Sequence, residues 1–280
     1  MRLAEIVERL ATFGLGYAVL RAGAGGALLL LPEYGRVLGL WAGERAENAL
    51  WVNPRFLERL AIGAKDDGWT NPGGERMWLA PREEFCAEGG EVPPSIDPGH
   101  FTGSQERSGY TMENRGEAHA WQTGTTVRFR MVRRVLPLGD EQMEKRWGRT
   151  LLRRAGYEEE TLLQCSGACP PGTRLTCFTQ AVSRGRVRVT LRGRDGAGVS
   201  GVFCIVPAEP GHSQLLAKGS HAIGASHLLD PRWEERGGSF EISCSSPPVG
   251  TQRKLAWRTS LCVYSGRTEE IEALAARISG

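Results

Sequence analysis

The sequence predicts an all-β protein, and three observations carry that expectation. Glycine and proline are abundant, 37 and 15 in 280 residues, which implies many turns and therefore many strands. Apolar residues come in short runs bounded by Gly, Pro and polar residues, too short for a sequence made mostly of helices. Several runs also alternate, as where Val187 and Val189 stand against Arg186 and Arg188, the period of a half-buried strand. No internal repeat and no break in composition divides the chain, so residues 1–280 are expected to form a single domain.

Leu3, Ile6, Val7 and Leu10 recur at helical spacing and Gly14 closes the pattern, which predicts an amphipathic helix over residues 1–14. Tyr17 to Arg21, Gly26 to Leu31 and Gly35 to Trp41 then read as consecutive antiparallel strands joined by turn residues. Asn48 to Pro54 leads into a loop-rich region, and Glu91 to Gly103 is a long irregular connection rich in Pro and Gly, of the kind that often carries function. Strand texture resumes at Gly109 to Glu113 and Thr123 to Leu138. Asp140 is placed to cap a helix reaching about Arg154, with Met143, Trp147 and Leu151 on one side, although a twisted strand could carry the same residues. Further strands are expected at Leu162 to Gln164, Thr173 to Val182, Arg186 to Arg192, Ser200 to Val206, Gln214 to Lys218, Ser239 to Ser245 and Lys254 to Tyr264. Thr268 then caps a closing helix over 268–279, whose early Glu269 and Glu270 suit the positive end of its dipole.

The densest stretch runs from Trp69 to Glu84, W-T-N-P-G-G-E-R-M-W-L-A-P-R-E-E. Pro72 before Gly73-Gly74 is turn chemistry, because proline fixes one backbone angle while glycine supplies a positive one. Beyond the turn, an extended chain puts Arg76 and Trp78 on one face and Met77 and Leu79 on the other, until Pro81 stops it. A guanidinium beside an indole suits a sugar, which offers an apolar face for stacking and hydroxyls for a charged fork. The alternative is structural: Trp78 in the core and Arg76 paired with Glu83 or Glu84.

Composition limits the remaining classes. A formal charge of +3 gives no general pull toward nucleic acid, and the arginines of V-R-F-R-M-V-R-R-V, residues 127–135, fit an amphipathic strand with one wet face. No nucleic-acid partner is expected; were there one, Arg128, Arg130 and Arg133 would share an exposed basic face. The cysteines, Cys86, Cys165, Cys169, Cys177, Cys204, Cys244 and Cys262, are odd in number and irregularly spaced, as for reduced buried thiols in a cytoplasmic protein. The gaps among Cys165, Cys169 and Cys177 are not zinc-knuckle spacing, so no metal is expected. The start M-R-L-A-E-I-V-E-R-L carries Glu5 and Glu8 where a secretion signal is apolar, and the run Ala27 to Leu31 is too short to span a bilayer, so no membrane partner is expected. No phosphate loop, dinucleotide fingerprint or nucleophile elbow occurs, and no cofactor is expected.

The succession L-L-L-L-P-E-Y-G-R-V-L-G-L, A-L-W-V-N-P and G-G-E-R-M-W-L-A-P-R-E-E-F resembles the galactose-mutarotase-like superfamily. Within it, the chain is similar to aldose-1-epimerase-like proteins with a Gly-Gly-x-Arg-x-Trp-x-x-Pro-Glu signature. Here Arg82 follows Pro81, so the closing glutamate is displaced to Glu83. The resemblance implies a large antiparallel β-supersandwich with a sugar site in its concave face. It also implies chemistry by a histidine acid and a glutamate base on opposite sides of the ring. This chain departs there, with Leu175 and Pro72 where that family's histidines fall.

The expected ligand is therefore a small-molecule carbohydrate. Arg76 would clamp a hydroxyl or carboxylate, Trp78 would stack, and Asn53, Glu83 and Glu241 would accept hydrogen bonds. An enzyme would be an isomerase acting at an anomeric carbon, with His100 or His221 as acid and Glu241 as base. His227 shares the segment of His221. A non-catalytic sugar-sensing or assembly module is the alternative.

Overall fold

The computed structural model describes residues 1–61, 70–87, 92–182, 187–192, 200–221, 239–251 and 253–279. Trp69, Arg186 and His227, named above, lie outside these residues. The described strands form two antiparallel sheets. One has six strands in the order β1 (Ala18–Arg21), β2 (Ala27–Leu31), β3 (Arg36–Trp41), β4 (Glu75–Ala80), β9 (Arg174–Val182) and β13 (Ser239–Ser245). The other has eight, ordered β10 (Arg188–Arg192), β11 (Ser200–Glu209), β12 (His212–His221), β14 (Lys254–Arg267), β8 (Arg153–Ser166), β7 (Thr125–Pro137), β6 (Gly109–Ala120) and β5 (Thr102–Glu106). This is the all-β, two-sheet architecture expected from the sequence, with short helices at both ends.

Alternation along the strands builds the sandwich. Leu28, Leu30, Val37, Met77, Leu79 and Cys177 of the first sheet meet Met112, Phe129, Met131, Val135, Leu163 and Leu261 of the second in one buried cluster. The outer faces are covered only in part. Ile6 and Leu10 of α1 (Leu3–Thr12), with Phe56 and Leu57 of α2 (Pro54–Ala61), pack on Leu29, Leu31, Leu38 and Trp41. On the opposite side, Met143 and Trp147 of α4 (Asp140–Trp147) and Ile271 and Leu274 of α5 (Thr268–Ser279) cover Phe203, Leu215 and Tyr264. The outward face of β4, β9 and β13 carries neither helix pair, and the Arg76 side chain lies there. The short helix α3 (Arg82–Phe85) follows β4.

Two sequence expectations need correction. The helix beginning near Asp140 stops at Trp147, where Gly148 takes a φ of 86°, and Arg153–Ser166 is a long strand paired with β7 and β14. Sheet pairing on both sides outweighs the helical pattern, and the Arg154 guanidinium reaches back to Asp140 at 2.9 Å and Glu144 at 2.7 Å. Gly139, not Asp140, stands at the N-cap, with its N–H donated to the Gln142 side chain. The helix α2 has no counterpart in the expectations, since Pro54 at its start reads equally well as a turn.

Candidate functional site

The turn before β4 sets the site. Gly73 and Gly74 have φ of 92° and 73°, and a Cβ on either would collide with a backbone carbonyl, Trp51 O or Val37 O. Only glycine permits this close approach of β4 to β3. The phase of β4 is thereby fixed: Met77 and Leu79 enter the core, and Arg76 and Trp78 face outward together.

Around Arg76 the geometry is tight. Its guanidinium carbon lies 4.6 Å from the centre of the Trp78 ring and 5.1 Å from that of Phe178, and the two rings are 4.8 Å apart. Nη2 donates to Glu241 Oε2 at 2.9 Å, reaching across β9 to β13. Nε and Nη1 are buried and have no hydrogen-bond partner among the described residues. Trp78 Nε1 donates to Asp97 Oδ2 at 3.0 Å, and both Asp97 oxygens accept from Arg36 Nη2, at 2.6 and 2.8 Å. Burial pushes the Arg36 guanidinium down to about 10 against the pull of Asp97, which leaves it cationic at neutral pH. The result is a cation lying over two neighbouring rings, one partly exposed carboxylate and an indole anchored by an ion pair.

The other expected residues lie elsewhere. Asn53 starts α2: its Oδ1 accepts the Arg55 N–H at 3.0 Å, and Nδ2 donates to Asn71 O at 2.9 Å. Asn71 in turn bridges to Gln180 Oε1 at 3.1 Å, so Asn53 is one residue removed from the outward face of β9. Glu83 is exposed on α3, whereas Glu84 is buried and accepts from Thr123 at 2.7 Å and 3.1 Å. Neither is the partner of Arg76. His100 is exposed in the long connection, its backbone N–H donated to Asn114 Oδ1 at 3.1 Å. His221 ends β12, opposite Arg258 on the eight-stranded sheet, and its side chain lies outside the described residues. Among the described side chains no histidine faces Glu241. Asp97, Arg36 and Phe178 were missed: Arg36 and Phe178 occupy ordinary strand positions, and the only signal at Asp97 is an acid beside Pro98-Gly99.

Beneath the site, between the sheets, sits a second charged cluster. Glu75 Oε2 accepts from Lys218 Nζ and, at 2.6 Å, from Thr179 Oγ1, while Arg133 pairs with both oxygens of Glu159 at 2.7 and 2.8 Å. Arg133 Nη2 is also 3.7 Å from Glu75 Oε1, and Nη1 donates to Gly35 O. Burial alone would raise the Glu75 carboxyl, but the charges of Lys218 and Arg133 outweigh it and hold the group down. Arg133 thus leaves the arginine strand for the core. The outward arginines are matched by carboxylates: Arg128 by Glu117, Arg130 by Glu113, and Arg134 by Glu106 and Glu160. That face is a mixed-charge lattice, not a basic track.

Two clefts open away from Arg76. One of about 660 Å³ lies between Val189, Ile205, Pro207 and the start of α5, and one of about 390 Å³ between Arg115, Arg128, Gln164 and Cys165. Their acids and bases include Glu272, paired with Arg188 at 3.1 Å, and Glu117, paired with Arg128. Six of the seven thiols are buried, and burial pushes Cys204 and Cys262 up to about 12, so they stay protonated.

Fold and site together define a two-sheet antiparallel β-sandwich with an arginine–aromatic–carboxylate patch on the outer face of the smaller sheet. Solved structures of similar shape include a putative aldose 1-epimerase from Escherichia coli K12, 8% identical, covering 89% of this chain and 99% of that one at a TM-score of 0.48. Slr1438 protein from Synechocystis sp. PCC 6803 is 11% identical, with 87% and 93% covered at 0.49. A GalM/aldose epimerase homologue from C. elegans is 8% identical, with 90% and 99% covered at 0.38. Similarity at this level is one of overall shape and bears on no activity. No family model and no curated sequence matches the chain.

Proposed function

We propose that this chain is a carbohydrate-binding protein of the aldose-1-epimerase-like type, holding a monosaccharide or sugar acid on the outward face of β4, β9 and β13. The observation that carries the reading is the Arg76 guanidinium over the adjoining Trp78 and Phe178 rings, paired with the part-exposed Glu241. A pyranose stacks its C–H face on Trp78, while Arg76 and Glu241 supply a donor and an acceptor for its oxygens. Asn53 and Glu83 belong to the reading as outer contacts, reached by a ligand extending over the 70–74 turn or over α3.

Anomer interconversion needs an acid opposite the Glu241 base, a role left to His100 or His221. The exposure of His100 and the sheet to which His221 belongs favour the second reading, binding without turnover, as in a sugar sensor or assembly module. Proton NMR of the anomeric region separates the two. Binding alone leaves anomer exchange at its uncatalysed rate. Accelerated exchange abolished by Glu241→Gln and by one of the two histidine substitutions would instead establish an epimerase.

A further inference from the structure

Among the described residues, Arg76 uses only one of its three nitrogens for a hydrogen bond. Nη2 meets Glu241 at a single carboxylate oxygen, whereas Nε and Nη1 are buried and unmatched, in a residue only 9% exposed. Buried donors without acceptors are uncommon in folded proteins, and a guanidinium lying over two rings still presents its N–H groups in its own plane. The group that partly fills this plane is a carboxylate, and its side chain is 23% exposed. It lies on β13, separated from β4 by β9, so it can leave without disturbing the pairing of β4.

We infer that Glu241 is an exchangeable stand-in for a carboxylate of the ligand, and that the site selects sugar acids, uronates above neutral aldoses. The inference rests on the sugar-binding reading above and narrows its ligand class. An incoming carboxylate takes the Nη1–Nη2 edge of Arg76 at two points, supplying an acceptor for Nη1 that Glu241 leaves unmet. The ring then lies against Trp78, whose indole is fixed through Asp97 and Arg36. Glu241, released, turns to the sugar hydroxyls. A phosphate dianion suits the place less well. Among the described residues the neighbouring cations Arg36 and Arg76 face Asp97 and Glu241, and a ligand carboxylate already releases one carboxylate from Arg76, so the further charge of a dianion would add a second without a counterion.

Calorimetric titration of the full chain with D-glucuronate, D-glucose and D-glucose 6-phosphate tests this. Wild-type protein should bind glucuronate at least about tenfold more tightly than glucose. Glu241→Gln should bind glucuronate several-fold more tightly than wild type, because the internal competitor loses its charge, and glucose more weakly. Arg76→Lys, which keeps the charge but not the fork, should erase the preference, and Arg128→Ala, on the opposite sheet, should change nothing. Equal wild-type affinity for glucose and glucuronate, tighter binding of the 6-phosphate, or weaker binding of both sugars by Glu241→Gln would overturn the inference while leaving sugar binding intact. Silence from all three ligands would overturn both. If Arg76→Lys fails to fold, the Glu241→Gln comparison decides alone.

Discussion

Lys218→Met tests whether the buried cluster ties the two sheets together. Lys218 is fully buried on β12 of the larger sheet, and its ammonium donates to Glu75 on β4 of the smaller. Methionine fills most of the stem but removes the charge. Glu75 would keep the Thr179 hydroxyl at 2.6 Å and, as its remaining cation among the described residues, the more distant Arg133 at 3.7 Å, so one buried carboxylate would be left short of a counterion. Removing one partner of a buried pair costs about 3–5 kcal/mol, because the survivor remains desolvated. At roughly 2–4 °C per kcal/mol for a chain of this size class, the thermal midpoint should fall by about 6–20 °C. Urea denaturation followed by circular dichroism gives the free energy, and scanning calorimetry the midpoint. The double variant Glu75→Gln with Lys218→Met should recover a large part of the loss, since neither charge then remains. A loss below about 1 kcal/mol in the single variant, or a double variant as unstable as the single, would refute the reasoning.

Other outcomes follow from the same geometry. Gly74→Ala should lower stability by more than about 1 kcal/mol in a urea melt, since φ is 73° and the new Cβ would strike Val37 O. Arg128→Ala should change stability by no more than about 0.5 kcal/mol, because its pair with Glu117 is exposed on both sides. Acid should expose the Glu75 linkage. The folded carboxyl is held down to about 2 from an ordinary 4.5, so its contribution is complete above 4.5 and lost as pH falls toward 2. Across that window the urea midpoint of wild type should drop more steeply than that of Glu75→Gln.

What the sequence disclosed divides along physical lines. Period-2 alternation and turn chemistry are local, so most strands of both sheets, the Gly73-Gly74 turn and the shared face of Arg76 and Trp78 are readable, whereas the edge strand β5 and most of β8 are not. The 140–154 segment was misread beyond Trp147, because its hydrophobic spacing fits a helix and only the neighbours β7 and β14 decide otherwise. Arg133 was placed on a wet face with Arg128 and Arg130 in the nucleic-acid reading. Strand parity puts it inward, and the partners that make this tolerable, Glu159 and Glu75, are far away in sequence. The site shows the same limit. The pairing of Arg76 with Glu241 spans 165 positions, and the anchoring of Trp78 by Asp97 depends on the path of a long connection. No local pattern encodes either.

Saturation-transfer NMR on a panel of aldoses and uronic acids bears most directly on sugar binding at the Arg76–Trp78 face. Transfer to ring protons should be seen with wild type, persist in Arg128→Ala, and vanish in Arg76→Ala and Trp78→Ala variants that retain the wild-type circular dichroism spectrum. Transfer that survives both of the latter substitutions, or no transfer to any sugar of the panel, would contradict the account.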